Sequence, residues 1–312
     1  MVYLAESKRG QKTYYYLVEA ITLPNKSRKQ FRKYIGTAKP SDEKLERLFA
    51  SFKTQVEEQR KNIFGHHYLT NIEINKINEI NSGFLSRFSK LNPTEKEQFW
   101  HNFVNAFVYN SNSIEGSTLT AREVALILEE NISPNKDLED VLEAKNAGKV
   151  LEYVKESKED LSDSLLHKLH EMYFKDTKPY IAGHYKTKDN FVKGATFQTT
   201  PAIYVIPDMK NYFEEYKKLK AKLHPLELAA WAHWRIEKIH PFQDGNGRIG
   251  RIIMNHLLNK NGYQMIDIKT KEKAKYFNTL RKCDKENSAH ALSKLLVKRF
   301  EKQYKNSLKP TA

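Results

Sequence analysis

Twelve consecutive residues, His240-Pro241-Phe242-Gln243-Asp244-Gly245-Asn246-Gly247-Arg248-Ile249-Gly250-Arg251, bring an imidazole, a carboxylate, a glycine-flanked turn and two guanidiniums into one short run. These are parts for handling phosphate. Gly245-Asn246-Gly247 lets successive backbone N–H groups point inward, and a helix starting there adds its own unpaired N–H groups and positive dipole end, which makes an anion nest. Arg248 falls in the first turn of that helix and Arg251 three residues on, on the same side. Two guanidiniums at a helix N-terminus are electrostatically awkward unless an anion sits between them. Asp244 suits Mg²⁺ held by one carboxylate together with phosphate oxygens and water. His240, pinned by Pro241, can accept a proton from an incoming hydroxyl. Singly, each part has a plainer reading: a capping histidine, an ordinary turn, arginines paired on a surface. Their joint spacing points to phosphoryl-type transfer to a hydroxyl.

The elements that must position these groups are mostly helices. Residues 225–240 are apolar nearly all round, which places that helix at the centre of a domain, and it ends before Pro241 because the residue preceding proline disfavours helix. A further helix begins after the glycines, buries Ile249, Ile252, Ile253 and Leu257, and stops at Asn261-Gly262. Upstream, a 3.6-residue period predicts helices from Ser41, from Thr70 and from about Thr94, with capping boxes at Thr70–Glu73 and Thr120–Glu123. The third leads into a polar stretch, Asn110 to Gly116, with Gly116 suited to a helix C′ position. Two more helices are expected around 138–156 and 162–176. Residues 191–200 lose the helical period and read as a short hairpin or flap. Residues 13–36 alternate with period two around Pro24–Ser27 and read as a second hairpin, which needs a partner surface because two strands alone are marginal.

Composition narrows the class. A single cysteine, Cys283, excludes an internal disulfide and a cysteine-based zinc site. No apolar run approaches the ~20 residues of a membrane span, and the start lacks a signal-peptide pattern, so the expected location is cytoplasmic with no membrane partner. The net charge of +15 is uneven: residues 1–40 carry 9 Lys/Arg against 2 Asp/Glu and residues 269–312 carry 13 against 4, leaving the centre nearly neutral. Basic ends serve nucleic acid or an acidic protein partner, or keep the surface solvated.

The central stretch resembles the signature of the Fic family, His-Pro-Phe-x-Asp/Glu-Gly-Asn-Gly-Arg-x-x-Arg, at all nine specified positions. Ser111-Asn112-Ser113-Ile114-Glu115-Gly116 is similar to that family's inhibitory motif, Ser/Thr-x-x-x-Glu-Gly/Asn, placed N-terminal to the core. The resemblance covers about residues 70–285. It implies a mainly α fold: a Fic-type helical core with a small β-hairpin flap and an N-terminal β-hairpin appendage. The corresponding division is residues 1–65 for the basic hairpin and first helix, 66–285 for the core with the motif at 111–116, and 286–312 for a basic C-terminal helix and tail.

The activity the resemblance implies is protein adenylyl transfer: AMP from ATP to a Ser, Thr or Tyr hydroxyl of a target protein, or of the chain itself. His240 would be the base and Asp244 the ligand of Mg²⁺ or Mn²⁺. Gly245, Asn246 and Gly247 would line the phosphate site, with Arg248 on the inner phosphates and Arg251 on the γ-phosphate. The flap, with Lys193 and Gly194, would cover the nucleotide, and Tyr276 would lie near the adenine. Asp284 stands where many members carry an asparagine, and Lys186 where an arginine is common. Glu115 would pair with Arg251 through a bidentate contact and withhold it from ATP, so the enzyme would be off by default. Two other readings stay open. One is removal of AMP from a modified target, with Glu115 orienting water; the other is a nucleic-acid-associated, toxin-like module whose basic ends carry the function. The N-terminal hairpin could recognise targets, contact nucleic acid or brace a homodimer.

Overall fold

Alternation in the first forty residues does produce strands, but three of them. The computed structural model describes residues 2–22, 28–64, 68–190 and 199–308, which divide into two compact units at residue 67. In the first unit, β1 (Tyr3–Arg9), β2 (Lys12–Thr22) and β3 (Arg28–Gly36) form an antiparallel sheet in that order. The expected hairpin is β2–β3, and β1 is an addition that the sequence signalled weakly, because its seven-residue run mixes charged and apolar residues without a clean alternation. Gly10 at φ 60 opens the two-residue turn between Arg9 and Lys12, a conformation that hairpin turns require. The expected turn at Pro24–Ser27 lies outside the described residues.

One face of this sheet is closed by α1 (Asp42–Phe64). Leu17 and Phe31 are buried with Phe52 and Val56 of the helix, and Leu4, Ile35, Leu45, Leu48 and Phe49 pack around them. The partner that a two-stranded ribbon needs is therefore supplied within the same unit, by a third strand and a helix.

The second unit is helical: α2 (Asn71–Ser89), α3 (Pro93–Glu115), α4 (Ala121–Glu129), α5 (Leu138–Glu156), α6 (Asp163–Phe174), α7 (Val205–Leu219), α8 (Pro225–Ile239), α9 (Asn246–Lys260), α10 (Lys273–Glu286) and α11 (His290–Tyr304). Capping boxes start α2 at Thr70, α3 at Asn92 and α4 at Thr120. The polar stretch after the expected third helix is the last two turns of α3, which runs unbroken to Glu115 and ends at Gly116 with φ 111. Proximity of so many polar residues hides a helix whose polar side is also buried: Asn110, Ser111 and Asn112 are all in the interior.

The antiparallel pair α8 and α9 forms the centre. As the all-round apolarity of α8 requires, Leu226 to Ala232 are buried without interruption, and α7, α10 and α11 pack on this helix. On the other side α9 meets α3, α5 and α6. The α8–α9 turn is thus held from both sides. The expected flap residues 191–198, including Lys193 and Gly194, lie outside the described residues. Among those described, no helix is long and apolar enough to cross a membrane.

Candidate active site

The turn from His240 to Gly245 is rigidified by its own side chains. His240 caps α8 in the left-handed region at φ 56, uncommon for a residue with a side chain. Asn246 accepts from the Phe242 N–H (2.8 Å) and donates to the Phe242 carbonyl (2.8 Å), closing the loop on itself. Its side chain is therefore committed to the loop, and only its backbone is left to line an anion site. Phe242 is fully buried and its ring lies 3.8 Å from that of His170, nearly parallel. The Gly183 N–H donates to His170 Nδ1 (2.9 Å), so Nε2 carries the proton and donates to the Asp244 carbonyl (3.1 Å). Burial pushes His170 down to about 4, so this neutral tautomer persists at physiological pH. From the other side, Asn190 donates to the Phe242 and Gln243 carbonyls, and the Lys186 N–H donates to the Pro241 carbonyl.

His240 points its Nδ1 at the Glu237 carbonyl, at a long 3.4 Å. A carbonyl only accepts, so this contact puts the proton on Nδ1 and leaves the Nε2 lone pair free. Burial first, and then the nearby Lys186 ammonium, push the imidazole down to about 4. It is neutral and able to accept a proton across the physiological range.

Asp244 is held by cations. Its Oδ2 accepts from Lys178 Nζ (2.7 Å), and its Oδ1 from the Gly245 N–H (2.6 Å) and Arg248 Nη2 (3.2 Å). Burial alone would favour its neutral form, but Arg248 and Lys178 outweigh that and hold the carboxyl down at about 2. Arg248, itself buried, also binds Glu143, which shares Lys178 at 3.0 Å; Glu139 takes a further Lys178 contact at 2.6 Å. Among the described residues Arg248 Nε is buried without a hydrogen-bond partner, an orphan donor of the kind an anion would satisfy.

Arg251 is the most enclosed charge of the site, at 1% exposure. Its Nε donates to Ser111 Oγ and its Nη2 to the Ser111 carbonyl, both at 3.0 Å, and Nη2 also reaches Glu115 Oε1 at 2.7 Å. The pairing with Glu115 is through one oxygen, not the expected bidentate fork, because Ser111, one turn earlier on α3, takes the rest of the guanidinium. Tyr276 is fully buried; its hydroxyl lies 2.5 Å from His233 Nε2 and 3.5 Å from Arg251 Nη1, so this ring braces the arginine from behind. Burial opposes the charge on Arg251, and Glu115, together with Tyr276 and Glu237, more than restores it.

The glycines explain how Glu115 gets in. A Cβ on Gly247 would lie 2.3 Å from Glu115 Oε1 and 3.2 Å from Glu237 Oε1, so only glycine lets the carboxylate rest against the start of α9. A Cβ on Gly245 would strike the Phe174 ring at 2.3 Å. Glu115 therefore sits where the sequence places an anion: at a helix N-terminus, beside Arg251. Glu115 stands at the unfavourable C-terminal end of the α3 dipole, a penalty of ~0.3–1 kcal/mol that the Arg251 guanidinium offsets.

Among the described residues no group of three or more His, Cys, Asp or Glu side chains could hold a metal unaided. One hard carboxylate, Asp244, fits the way Mg²⁺ is bound together with substrate phosphates.

A model of the Fic/DOC family matches residues 160–258. A Fic domain-containing signalling protein from Bacteroides thetaiotaomicron superposes with a TM-score of 0.68 at 30% identity, over 75% of this chain and 95% of that one. The chain belongs to the Fic/DOC family. It is also similar to the protein adenylyltransferase Fic of Nematostella vectensis, 30% identical over 180 residues, which are 55% of this chain and 42% of that protein. Fic-1 of C. elegans (residues 134–508) shares the fold, with a TM-score of 0.65 at 21% identity over 86% of this chain and 77% of that one. The chain spans less than half the length of the curated relatives it matches.

Four residues of this Fic site were not singled out by the sequence: Lys178, Glu143, Glu237 and Tyr173. Lys178 and Glu143 look like surface charges until the fold brings them to Asp244 and Arg248. Tyr173 donates to Asn112 at 2.5 Å, tying α6 to the last turns of α3. Glu237, one turn before His240, is partly exposed as a residue but its carboxyl is enclosed; burial, reinforced by Glu115, pushes it up to about 8. A carboxylate three residues before the histidine at the end of a mostly apolar helix was the signal available for it.

Proposed function

We propose that this chain is a protein adenylyltransferase restrained by its own Glu115. The observation that carries the reading is the seat of Glu115 Oε1, 2.7 Å from Arg251 Nη2 and against Gly247, where a nucleotide phosphate would otherwise meet the same groups. With Glu115 withdrawn, Arg251 takes the γ-phosphate of ATP, Arg248 the inner phosphates, and the backbone of Gly245 to Gly247 the oxygens between. Asp244 is the residue to hold Mg²⁺ or Mn²⁺, which neutralises phosphate charge when bound.

His240 Nε2 takes the proton from a Ser, Thr or Tyr hydroxyl of the target protein. The hydroxyl oxygen forms a bond to the α-phosphorus, the bond from that phosphorus to the β-phosphate oxygen breaks, and pyrophosphate leaves. AMP stays on the target. The relatives named protein adenylyltransferase support the reaction class, and the neutral, free-Nε2 state of His240 supports the base.

The test is intact-mass analysis of Glu115→Gly after incubation with each nucleoside triphosphate and Mg²⁺. A gain of one AMP moiety from ATP, absent in a Glu115→Gly/His240→Ala protein, is expected. A gain of a phosphoryl group alone, or no adduct with any nucleotide, refutes adenylyl transfer.

A further inference from the structure

The N-terminal sheet has two faces of opposite character, and only one is used by α1. Ladder register assigns every described residue to a face. Tyr3 pairs with Val18, Ala5 with Tyr16, Ser7 with Tyr14 and Arg9 with Lys12; across the other ladder Tyr34 pairs with Tyr16 and Arg32 with Val18. Residues on one strand alternate between faces, so Tyr3, Tyr14, Tyr16 and Tyr34 share the face away from α1, together with Arg9, Lys12 and Arg32. Both acidic residues of the first forty, Glu6 and Glu19, pair with Tyr15 and Phe31 and fall on the opposite face. The open face is aromatic and, among the described residues, cationic without an acid.

The tyrosines are arranged as a platform. Tyr34 is 51% and Tyr3 48% exposed, unusual for large rings on a sheet. The Tyr34 ring lies 6.1 Å from that of Tyr14 and 5.4 Å from that of Tyr16, and the Arg32 guanidinium stacks 3.7 Å over Tyr16. Rings this far apart exceed the ~3.4 Å step between stacked bases in a duplex strand, so a strand that lays bases on successive rings must be unstacked. Paired bases keep their faces hidden within the duplex, whereas unpaired bases stack on exposed aromatic side chains and arginine planes. Flanking cations at Arg9, Lys12 and Arg32 match the phosphates of such a strand.

We propose that this face binds single-stranded nucleic acid, with Tyr34 and Tyr14 stacking on unpaired bases, the Arg32 guanidinium that covers Tyr16 adding a further plane, and Arg9 and Lys12 meeting the backbone with the edge of Arg32. The inference does not depend on the adenylyltransferase reading.

Fluorescence anisotropy of the full chain with a fluorescein-labelled deoxythymidine 20-mer tests it. Tyr34→Ala weakens binding about tenfold, while Tyr34→Phe keeps it, because stacking needs the ring and not the hydroxyl. Arg32→Gln lowers the steepness of the salt dependence by about 0.7 in log–log slope. An abasic strand of equal length, which keeps the phosphates and lacks the bases, binds at least tenfold more weakly. Binding that is absent at low salt, unchanged in Tyr34→Ala, or equally tight for the abasic strand, a duplex or polyglutamate overturns the proposal. Should Tyr34→Ala fail to show the wild-type melting transition, the abasic comparison on the unaltered chain decides alone.

Discussion

Removing the Glu115 carboxylate should switch the site on, and the structure sets the scale of the effect. Glu115→Gly deletes one charge-assisted hydrogen bond to Arg251 at 2.7 Å and leaves the two bonds from Ser111 that keep the guanidinium in place. A bond between such partners contributes about 1.5–3 kcal/mol. The Glu115 side chain is 31% exposed, which favours the lower end by solvent screening. At tenfold per ~1.4 kcal/mol, AMP incorporation at subsaturating ATP should rise about 10- to 150-fold. The nucleotide-free protein should lose stability too, because the deleted bond no longer contributes and Arg251 keeps only its Ser111 partners. A glycine at the last position of α3 loses about 1 kcal/mol of helix propensity, and removal of a negative charge from that helix end returns part of it. The assay is transfer of label from ATP labelled at the α-phosphate onto protein, for wild type, Glu115→Gly and Glu115→Gln. Equal incorporation in wild type and Glu115→Gly would refute the competition argument. Loss of activity in Glu115→Gly, with gain of AMP release from a modified target in wild type, would instead assign Glu115 to orienting water.

Further expectations concern the groups around this contact. His240→Ala should abolish incorporation without lowering ATP affinity, and the wild-type rate should fall as pH drops through about 4, where the imidazole protonates; a rate unaffected by His240→Ala sinks its role as base. Glu237, raised from 4.5 to about 8, contributes stability that is fully present below 4.5 and lost as pH rises to about 8; Glu237→Gln should flatten the melting temperature over that window, and an unchanged pH profile contradicts its placement. Ionised Glu237 also adds a second negative charge beside Arg251, so ATP affinity should weaken in wild type above pH 8 and not in Glu237→Gln. Gly247→Ala places a Cβ 2.3 Å from the seat of Glu115 Oε1 and should lower ATP-dependent incorporation even in the Glu115→Gly background, because the same backbone lines the phosphate site; normal incorporation there would mean that no phosphate approaches Gly247.

Much of this was legible because local chemistry and fold agree. The apolar run of α8, the proline after His240 and the glycines before α9 each specify the helix–turn–helix on their own, and the capping boxes at Thr70 and Thr120 fix two helix starts from four residues apiece. Glu115 and Arg251, 136 positions apart, were linked only through the two motifs, and the structure brings them into contact. What stayed hidden depends on tertiary placement. Lys178 and Glu143 have no periodic context that distinguishes them from solvated charges, and the role of Tyr276 behind Arg251 follows from burial, not spacing. At the polar end of α3 the stop at Gly116 was legible, but the burial of Asn110, Ser111 and Asn112 and their hydrogen bonds to Asp267, Arg251 and Tyr173 follow only from tertiary placement. Strand β1 was missed for want of alternation.

The central claim is that Glu115 and the γ-phosphate compete for Arg251, and the ratio of ATP to ADP affinity measures it most directly. Calorimetric titration of both nucleotides, with Mg²⁺, into wild type and Glu115→Gly gives the four dissociation constants required. The account predicts that Glu115→Gly tightens ATP about 10- to 150-fold and leaves ADP nearly unchanged, since ADP presents no γ-phosphate to Arg251. Equal tightening of both nucleotides, or of neither, contradicts it.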